Sequence, residues 1–391
     1  MCHPKIKAKH FFYSALFILA AISISINIIF YLADVEFYLC AKKIIDTENE
    51  ENKILTNPRT FKAELIKATY RIIHNGNRGE FPRTKLFFTE RIEDKLKSFN
   101  KPKTPFFLWS EPSYMLACAL NDAIKRKDAN EITHIQEIFD KQISEIPLQI
   151  TDQCPNGLTA IQLYNHFKQE KYKDYADAMY NWLKEQDTDF GILYRKNGNV
   201  QNVDVLGMVS PFLYLYANTF QCDSAQHLAD KTIDQFIKYG SDKETGFSTF
   251  TFRINSPHIK MGMSNWGRGT AWYAIGLLYC NPMNLSNSSQ QTIQLFNDNL
   301  KELFLKDKHF SQFIGEGGID LSAELPLIYY MKRKGIYKPS TKEIMSYSQY
   351  MHNGIMYNSS SSNSGIIRYG VNNGPYGLSQ AFMILLLNEI Q

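Results

Sequence analysis

Three short segments gather carboxylates, a guanidinium and indole rings at spacings that could bring them to one place. In Asn202-Val-Asp-Val-Leu-Gly-Met-Val-Ser-Pro-Phe-Leu213, Asp204 stands at the start of a strongly apolar run. A carboxyl group there can give and take a proton if burial or a neighbouring acid lifts its pKa toward neutrality. The plainer alternative is a first-turn acid stabilised by the helix dipole. In Ser264-Asn-Trp-Gly-Arg-Gly-Thr-Ala-Trp-Tyr-Ala-Ile-Gly-Leu277, two glycines bracket Arg268, and Trp266 and Trp272 flank it. Glycine permits close approach, arginine offers a planar fork to a carboxylate, and indole faces suit sugar rings. A tight loop with core aromatics would read the same way. The third segment, Gly315-Glu-Gly-Gly-Ile-Asp-Leu-Ser-Ala-Glu-Leu325, is a glycine turn that delivers Asp320 and Glu324 to a helix start. The plain readings there are a cap for Asp320 and a solvated helix face for Glu324.

The elements that must position these residues are helices. Apolar side chains return every three or four positions for about 15 residues, a Gly, Asn or Asp break follows, and the pattern resumes. Leu158, Ile161, Tyr164 and Phe167 form one stripe, and Tyr172, Tyr175, Met179 and Leu183 form the next. The spacing predicts helices near 59–75, 112–126, 129–144, 156–168, 170–186, 203–219, 222–238, 268–280, 287–305, 320–335, 340–353 and 376–390. Strand-like alternation is confined to Gly246–Ile254 and Gly365–Val371. Helices in short-linked pairs without a repeated consensus point to a closed ring of six hairpins, an all-α (α/α)6 toroid over 59–391, rather than a solenoid.

Ahead of that domain, residues 11–33 carry no formal charge, long enough at about 1.5 Å per residue to cross a hydrocarbon layer of roughly 30 Å. Lys5, Lys7 and Lys9 precede the run, and Asp34 and Glu36 follow it. The positive-inside rule then predicts a cytoplasmic tail (1–10), a single-pass anchor in the cytoplasmic membrane (11–33), a polar stalk (34–58) and an extracytoplasmic domain. A cleavable signal peptide shares the basic start, but the run exceeds the usual apolar core of about 7–15 residues and no small-x-small site follows.

The net charge of +4 over 391 residues is mostly local, because the first 43 residues contribute +3 of it. The nearly neutral remainder gives no electrostatic case for binding nucleic acid. Cys2, Cys40, Cys118, Cys154, Cys222 and Cys280 include no C-x-x-C pair or zinc-type spacing, so no metal or other cofactor is expected. Cys118 and Cys280 read as small buried residues.

The order of these segments resembles the unsaturated glucuronyl and rhamnogalacturonyl hydrolases, six-hairpin glycosidases of glycoside hydrolase families 88 and 105. The resemblance runs over about residues 105–390 through Val203–Phe212, Trp266-Gly-Arg-Gly-Thr-Ala-Trp272, Asp320-Leu-Ser-Ala323 and Asn373-Gly-Pro-Tyr-Gly377, with Trp109 and Leu163–Tyr172 upstream. It implies that Asp204 is a general acid and base that protonates C4 of a 4,5-unsaturated uronic acid and activates water to attack C5. It implies a second acid before the helix at 156–167, matching Asp152, and a sugar subsite shaped by Arg268, Trp266, Trp272 and Trp109 with support from Asp320. The family's usual histidine between the two main motifs has no counterpart, since the matching run is Gly246-Phe-Ser-Thr-Phe250 and His258 is out of register. The anchor also departs from the typical member and suits polysaccharide assembly. The resulting expectation is a membrane-anchored enzyme of capsule or exopolysaccharide synthesis or processing, acting on uronate-containing glycan. The alternative is a non-catalytic glycan-binding or scaffold component of an export complex.

Overall fold

A computed structural model of the protein describes residues 17–25, 28, 55–75, 106–195, 198–360, 369 and 374–390. The chain divides into two compact units, Met1–Glu51 with Lys85–Lys101, and Asn52–Thr84 with Pro102–Gln391. In the first, the described residues 17–25 and 28 are helical, and Phe17, Ile18, Leu19, Ile22, Ile24 and Ile28 are exposed. Among the described residues no helix is long and apolar enough to cross a membrane. The rest of the expected anchor and nearly all of the stalk lie outside the described residues.

Among the described residues the second unit holds twelve α-helices: α1 (Pro58–Asn75), α2 (Ser110–Arg126), α3 (Ala129–Glu145), α4 (Pro155–Phe167), α5 (Glu170–Gln186), α6 (Asp204–Phe220), α7 (Asp223–Gly240), α8 (Gly267–Leu277), α9 (Asn287–Asp307), α10 (Leu321–Arg333), α11 (Thr341–Ser346) and α12 (Gly377–Asn388). The even-numbered helices form an inner ring in which each packs on the next and α12 returns to α2. The odd-numbered helices lie outside them. Composition explains the division. All eleven residues of α8 are buried, as are ten of the twelve in α12, so these helices are apolar on nearly every face. In α7 the buried Leu228, Ile233, Phe236 and Ile237 make one stripe and the rest is polar, as expected of a helix with one side in water.

Close approach between inner helices depends on small residues and on a proline. A Cβ at Gly207 would lie 2.5 Å from Cε3 of Trp272, and one at Gly276 would lie 2.7 Å from Cβ of Leu206. Pro211 inside α6 has no N–H to give the carbonyl of Gly207, and the hydroxyl of Tyr114 on α2 donates to that carbonyl instead. Gly207→Ala is therefore expected to cost about 1–3 kcal/mol through overpacking, read as a lower denaturant midpoint. The ring is fastened by Gln380 of α12. Its amide donates to the carbonyls of Leu65 and Gly354 and to Thr69 Oγ1, and accepts from the Met356 N–H.

The twelve helices follow the sequence pattern closely, apart from 340–353. There the helix stops at Ser346, a 3-10 turn follows over Tyr347–Tyr350, and Met351–His352 pairs with Ile355–Met356. Asn353 and Gly354 supply the two positive φ angles, 49° and 78°, of a tight hairpin turn. Of the expected strand stretches, only Thr251–Arg253 within the first is a strand. It is the middle of a three-stranded antiparallel sheet between Val200–Asn202 and Lys260–Met261. The second lies outside the described residues except for Tyr369.

Candidate active site

Each inner helix begins with a residue that can do chemistry or hold one that does. Trp109 is the N-cap of α2 and Glu111 lies in its first turn; Asp152 lies in the 3-10 turn that leads into α4; Asp204 opens α6. Trp266 is the N-cap of α8 with Arg268 in its first turn, Asp320 caps α10, and Tyr376 caps α12. Three of these N-caps are aromatic and make no capping hydrogen bond through their side chains. Helix stability alone favours Ser, Thr, Asp or Asn there, so rings at these positions are better explained by what they face than by what they cap.

Two layers can be distinguished. Asp152, Trp266, Arg268 and Asp320 are buried, at 2–5% exposure. Trp109, Glu111, Tyr194, Asp204, Tyr369 and Tyr376 are partly open to solvent. The Tyr376 hydroxyl donates to Glu111 at 2.5 Å, and the Tyr369 hydroxyl accepts from the Met263 N–H at 2.6 Å. The Tyr369 ring rests on Phe313, Trp266 and Phe250 at centroid distances of 5.3, 5.6 and 6.3 Å.

Asp204 is the electrostatic centre. Removal of its carboxyl from water pushes the pKa up to about 7; Arg268 opposes the rise, while Asp152 and Glu111 add to it. Its Oδ1 is buried with no hydrogen-bond partner among the described residues, and so is Trp266 Nε1. Buried polar atoms of that kind are costly and call for a reason. The Tyr194 hydroxyl is also raised, first by burial and then by Asp152 and Asp204. A carboxyl poised near neutrality, with a second acid and ringed by aromatic side chains, can act on a glycan as both acid and base.

Arg268 takes a different place from an open fork for a ligand carboxylate. Its Nη1 donates to the Ser360 carbonyl at 2.7 Å, to Ser360 Oγ at 3.1 Å and to Ser322 Oγ at 3.4 Å. Its guanidinium carbon lies 4.4 Å from the Tyr376 ring centroid and 5.5 Å from that of Trp266. Asp320 completes the network, because its Oδ1 accepts from the N–H and Oγ of Ser322 and from the N–H of Ser360. Asp320 is thus a cap that also fixes the loop holding Arg268.

Trp272 corrects the sequence reading. It is 2% exposed and packs on Tyr114 and Gly207 in the core, where a sugar has no access to its face. Glu324 is likewise not on a solvated face. It is buried, accepts from the Tyr347 hydroxyl and the Phe310 N–H at 2.5 Å each, and is pushed up to about 7, chiefly by burial. His258 stacks on Tyr239 and Phe190 and bonds the Arg253 carbonyl through Nδ1. Cys118 and Cys280 are buried free thiols, and among the described residues no group of His, Cys, Asp and Glu is arranged to hold a metal ion. The sequence reading gives no role to Glu111, Tyr194, Tyr369 or Tyr376. Only Glu111, two places from Trp109, and Tyr376, before a helix-opening glycine, carried a signal there.

With this geometry in hand, comparison with known proteins is informative. The sequence model of Glycosyl Hydrolase Family 88 matches residues 115–305. A search of curated proteins by sequence finds no match. Among solved structures, a possible member of the GH105 family from Salmonella enterica serovar Paratyphi A superposes with a TM-score of 0.69 at 15% identity, covering 86% of this chain and 94% of that one. The unsaturated glucuronyl hydrolase from Bacillus sp. GL1, responsible for degradation of glycosaminoglycan, gives 0.64 at 12% identity over 86% and 97%. An alpha-1,6-mannanase, GH76A of Salegentibacter sp. HEL1_6, gives 0.55 at 13% identity over 85% and 98%. The fold is that of the six-hairpin glycosidases, and the protein is glycoside-hydrolase-like.

Proposed function

We propose that the protein is a glycoside hydrolase-like enzyme acting on a uronate-containing glycan, with Asp204 as general acid and base and Asp152 as its partner carboxylate. The observation that carries this reading is Asp204 itself: partly open to solvent, held near pKa 7, with one carboxyl oxygen unpartnered, at the start of α6. Protonated, it delivers a proton to C4 of a 4,5-unsaturated uronic acid; once ionised, it draws a proton from water attacking C5, and the resulting hemiketal opens. Proton donation and return by one group need a pKa near the working pH, which burial and the two neighbouring acids supply.

Trp109, Tyr369 and Tyr376 form the walls against which a sugar ring stacks, while Trp266, Arg268 and Asp320 hold those walls in place. Trp109→Ala is expected to raise KM about five- to thirtyfold, the loss of roughly 1–2 kcal/mol of ring contact, with a smaller change in kcat. The direct assay is a lyase-treated uronic acid polysaccharide as substrate, with the ultraviolet absorbance of its conjugated terminal uronate as the readout.

We also propose that residues 11–33 anchor the enzyme in the cytoplasmic membrane with its domain outside, which suits processing of an exported capsule or exopolysaccharide. The support is the charge-free run behind three lysines. Cell fractionation checks it: the full chain is expected in the membrane pellet and resistant to carbonate washing, and a chain lacking residues 1–33 in the soluble fraction.

A further inference from the structure

The opposite end of the ring carries a second concave surface. Where α6 ends and α7 begins, and in the turn after α8, Asn218, Gln221, Asp223, Gln226, Tyr279 and Asn281 help to line a cavity of about 410 Å³. It lies about 14 residues of α-helix from Asp204, roughly 20 Å at ~1.5 Å per residue, and is separate from the site above. Tyr279 is 53% exposed, while its hydroxyl reaches inward, where burial raises its pKa.

The polar groups there are only partly used by the fold. Gln221 Nε2 donates to the Asn218 carbonyl, and Asn281 Oδ1 accepts from the Met283 N–H. The Asn218, Asp223 and Gln226 side chains make no hydrogen bond among the described residues, and no lysine or arginine is among those lining the cavity. Amides and a carboxylate beside an open aromatic face complement a sugar, whose hydroxyls need donors and acceptors and whose C–H faces need a flat apolar surface. The Asp223 carboxylate in this lining disfavours an anionic residue.

We propose that this cavity is a remote binding site for a neutral stretch of glycan, with the Tyr279 ring as its platform. The choice of ligand class rests on the glycan reading of the Asp204 site, but the two sites are independent in geometry. A chain held at both ends of the ring gains effective concentration at the catalytic end, an advantage available to polymer and not to a short oligosaccharide.

The test uses the full chain and its Asp204→Asn form, titrated with cellohexaose, mannohexaose, xylohexaose and hexagalacturonate and followed by saturation-transfer NMR and equilibrium binding. At least one neutral hexasaccharide is expected to bind both proteins equally, and Tyr279→Ala and Gln226→Ala to weaken that binding at least tenfold with unchanged thermal melting. Binding of none of the neutral hexasaccharides, binding of hexagalacturonate alone, or neutral binding untouched by both substitutions overturns the proposal. Neutral binding that depends on Tyr279 in a protein whose catalysis does not depend on Asp204 would sink the catalytic reading and leave this one standing.

Discussion

Asp204→Asn is expected to lower turnover of an unsaturated uronate substrate by about 10²–10⁴-fold, the usual contribution of a positioned acid-base group. The same substitution is expected to raise the melting temperature at pH 8. Both results follow from the surroundings of this carboxyl: burial, with Asp152 and Glu111 beside it, pushes its pKa from the ordinary 3.8 up to about 7. A carboxyl whose folded pKa is raised favours folding when protonated, so its contribution is fully present below about pH 4 and is lost as pH rises through 7. Asparagine keeps the shape and has nothing to ionise. The stability difference between variant and wild type should therefore be near zero at pH 4, grow between pH 4 and 7, and level off above. Each kcal/mol would appear as about 1–2 °C in a domain of this size. Glu324 titrates over the same window in both proteins and cancels from the difference. Thermal scans of the two proteins from pH 4 to 8 check the sign.

Arg268→Gln should produce the second large effect, and it should appear in two places. The guanidinium is 2% exposed, donates three hydrogen bonds to Ser360 and Ser322, and lies between the Tyr376 and Trp266 rings. Charge-assisted hydrogen bonds are worth about 1.5–3 kcal/mol each and are not additive, so a loss of roughly 2–4 kcal/mol in denaturant unfolding is expected. Arg268 is also the cation that restrains the rise in the Asp204 pKa. Without it the Asp204 limb of the pH–rate profile should move to higher pH. A purely structural role would lower stability and leave that limb in place. Arg268→Lys keeps the charge without the fork, and should restore the limb while recovering only part of the stability.

Much of the scaffold was legible from periodicity. The outer helices show one apolar stripe, and the inner ones are apolar all round, as in Val205–Tyr214 and Ala381–Leu387. The short hairpins were not legible, because two-residue strands such as Met351–His352 carry no period to read. The Asn353-Gly354 dipeptide was the one local signal of a turn there. Within the site, Asp204 stood out because an acid opening an apolar helix is conspicuous. Trp266 and Trp272 could not be told apart by type, and only packing decides that one supports Tyr369 at the site while the other fills the core against Tyr114. Tyr194 and Tyr369 lie outside the helices and strands, where no periodic trace in sequence marks a residue. In sequence Arg268 suggests a ligand fork because its glycine and tryptophan neighbours imply access. The partners that occupy it, Ser322 and Ser360, lie 54 and 92 residues away in sequence.

Proton transfer to and from an unsaturated uronate is the role proposed for Asp204. Its most direct test is the initial rate of absorbance loss from a lyase-generated uronic acid oligosaccharide, measured for the full chain and for Asp204→Asn at equal folded concentration. A steady fall is expected with the wild-type protein, and a rate at least a hundredfold lower with the variant. Equal rates for the two proteins, or a wild-type rate no greater than that of buffer, would contradict it.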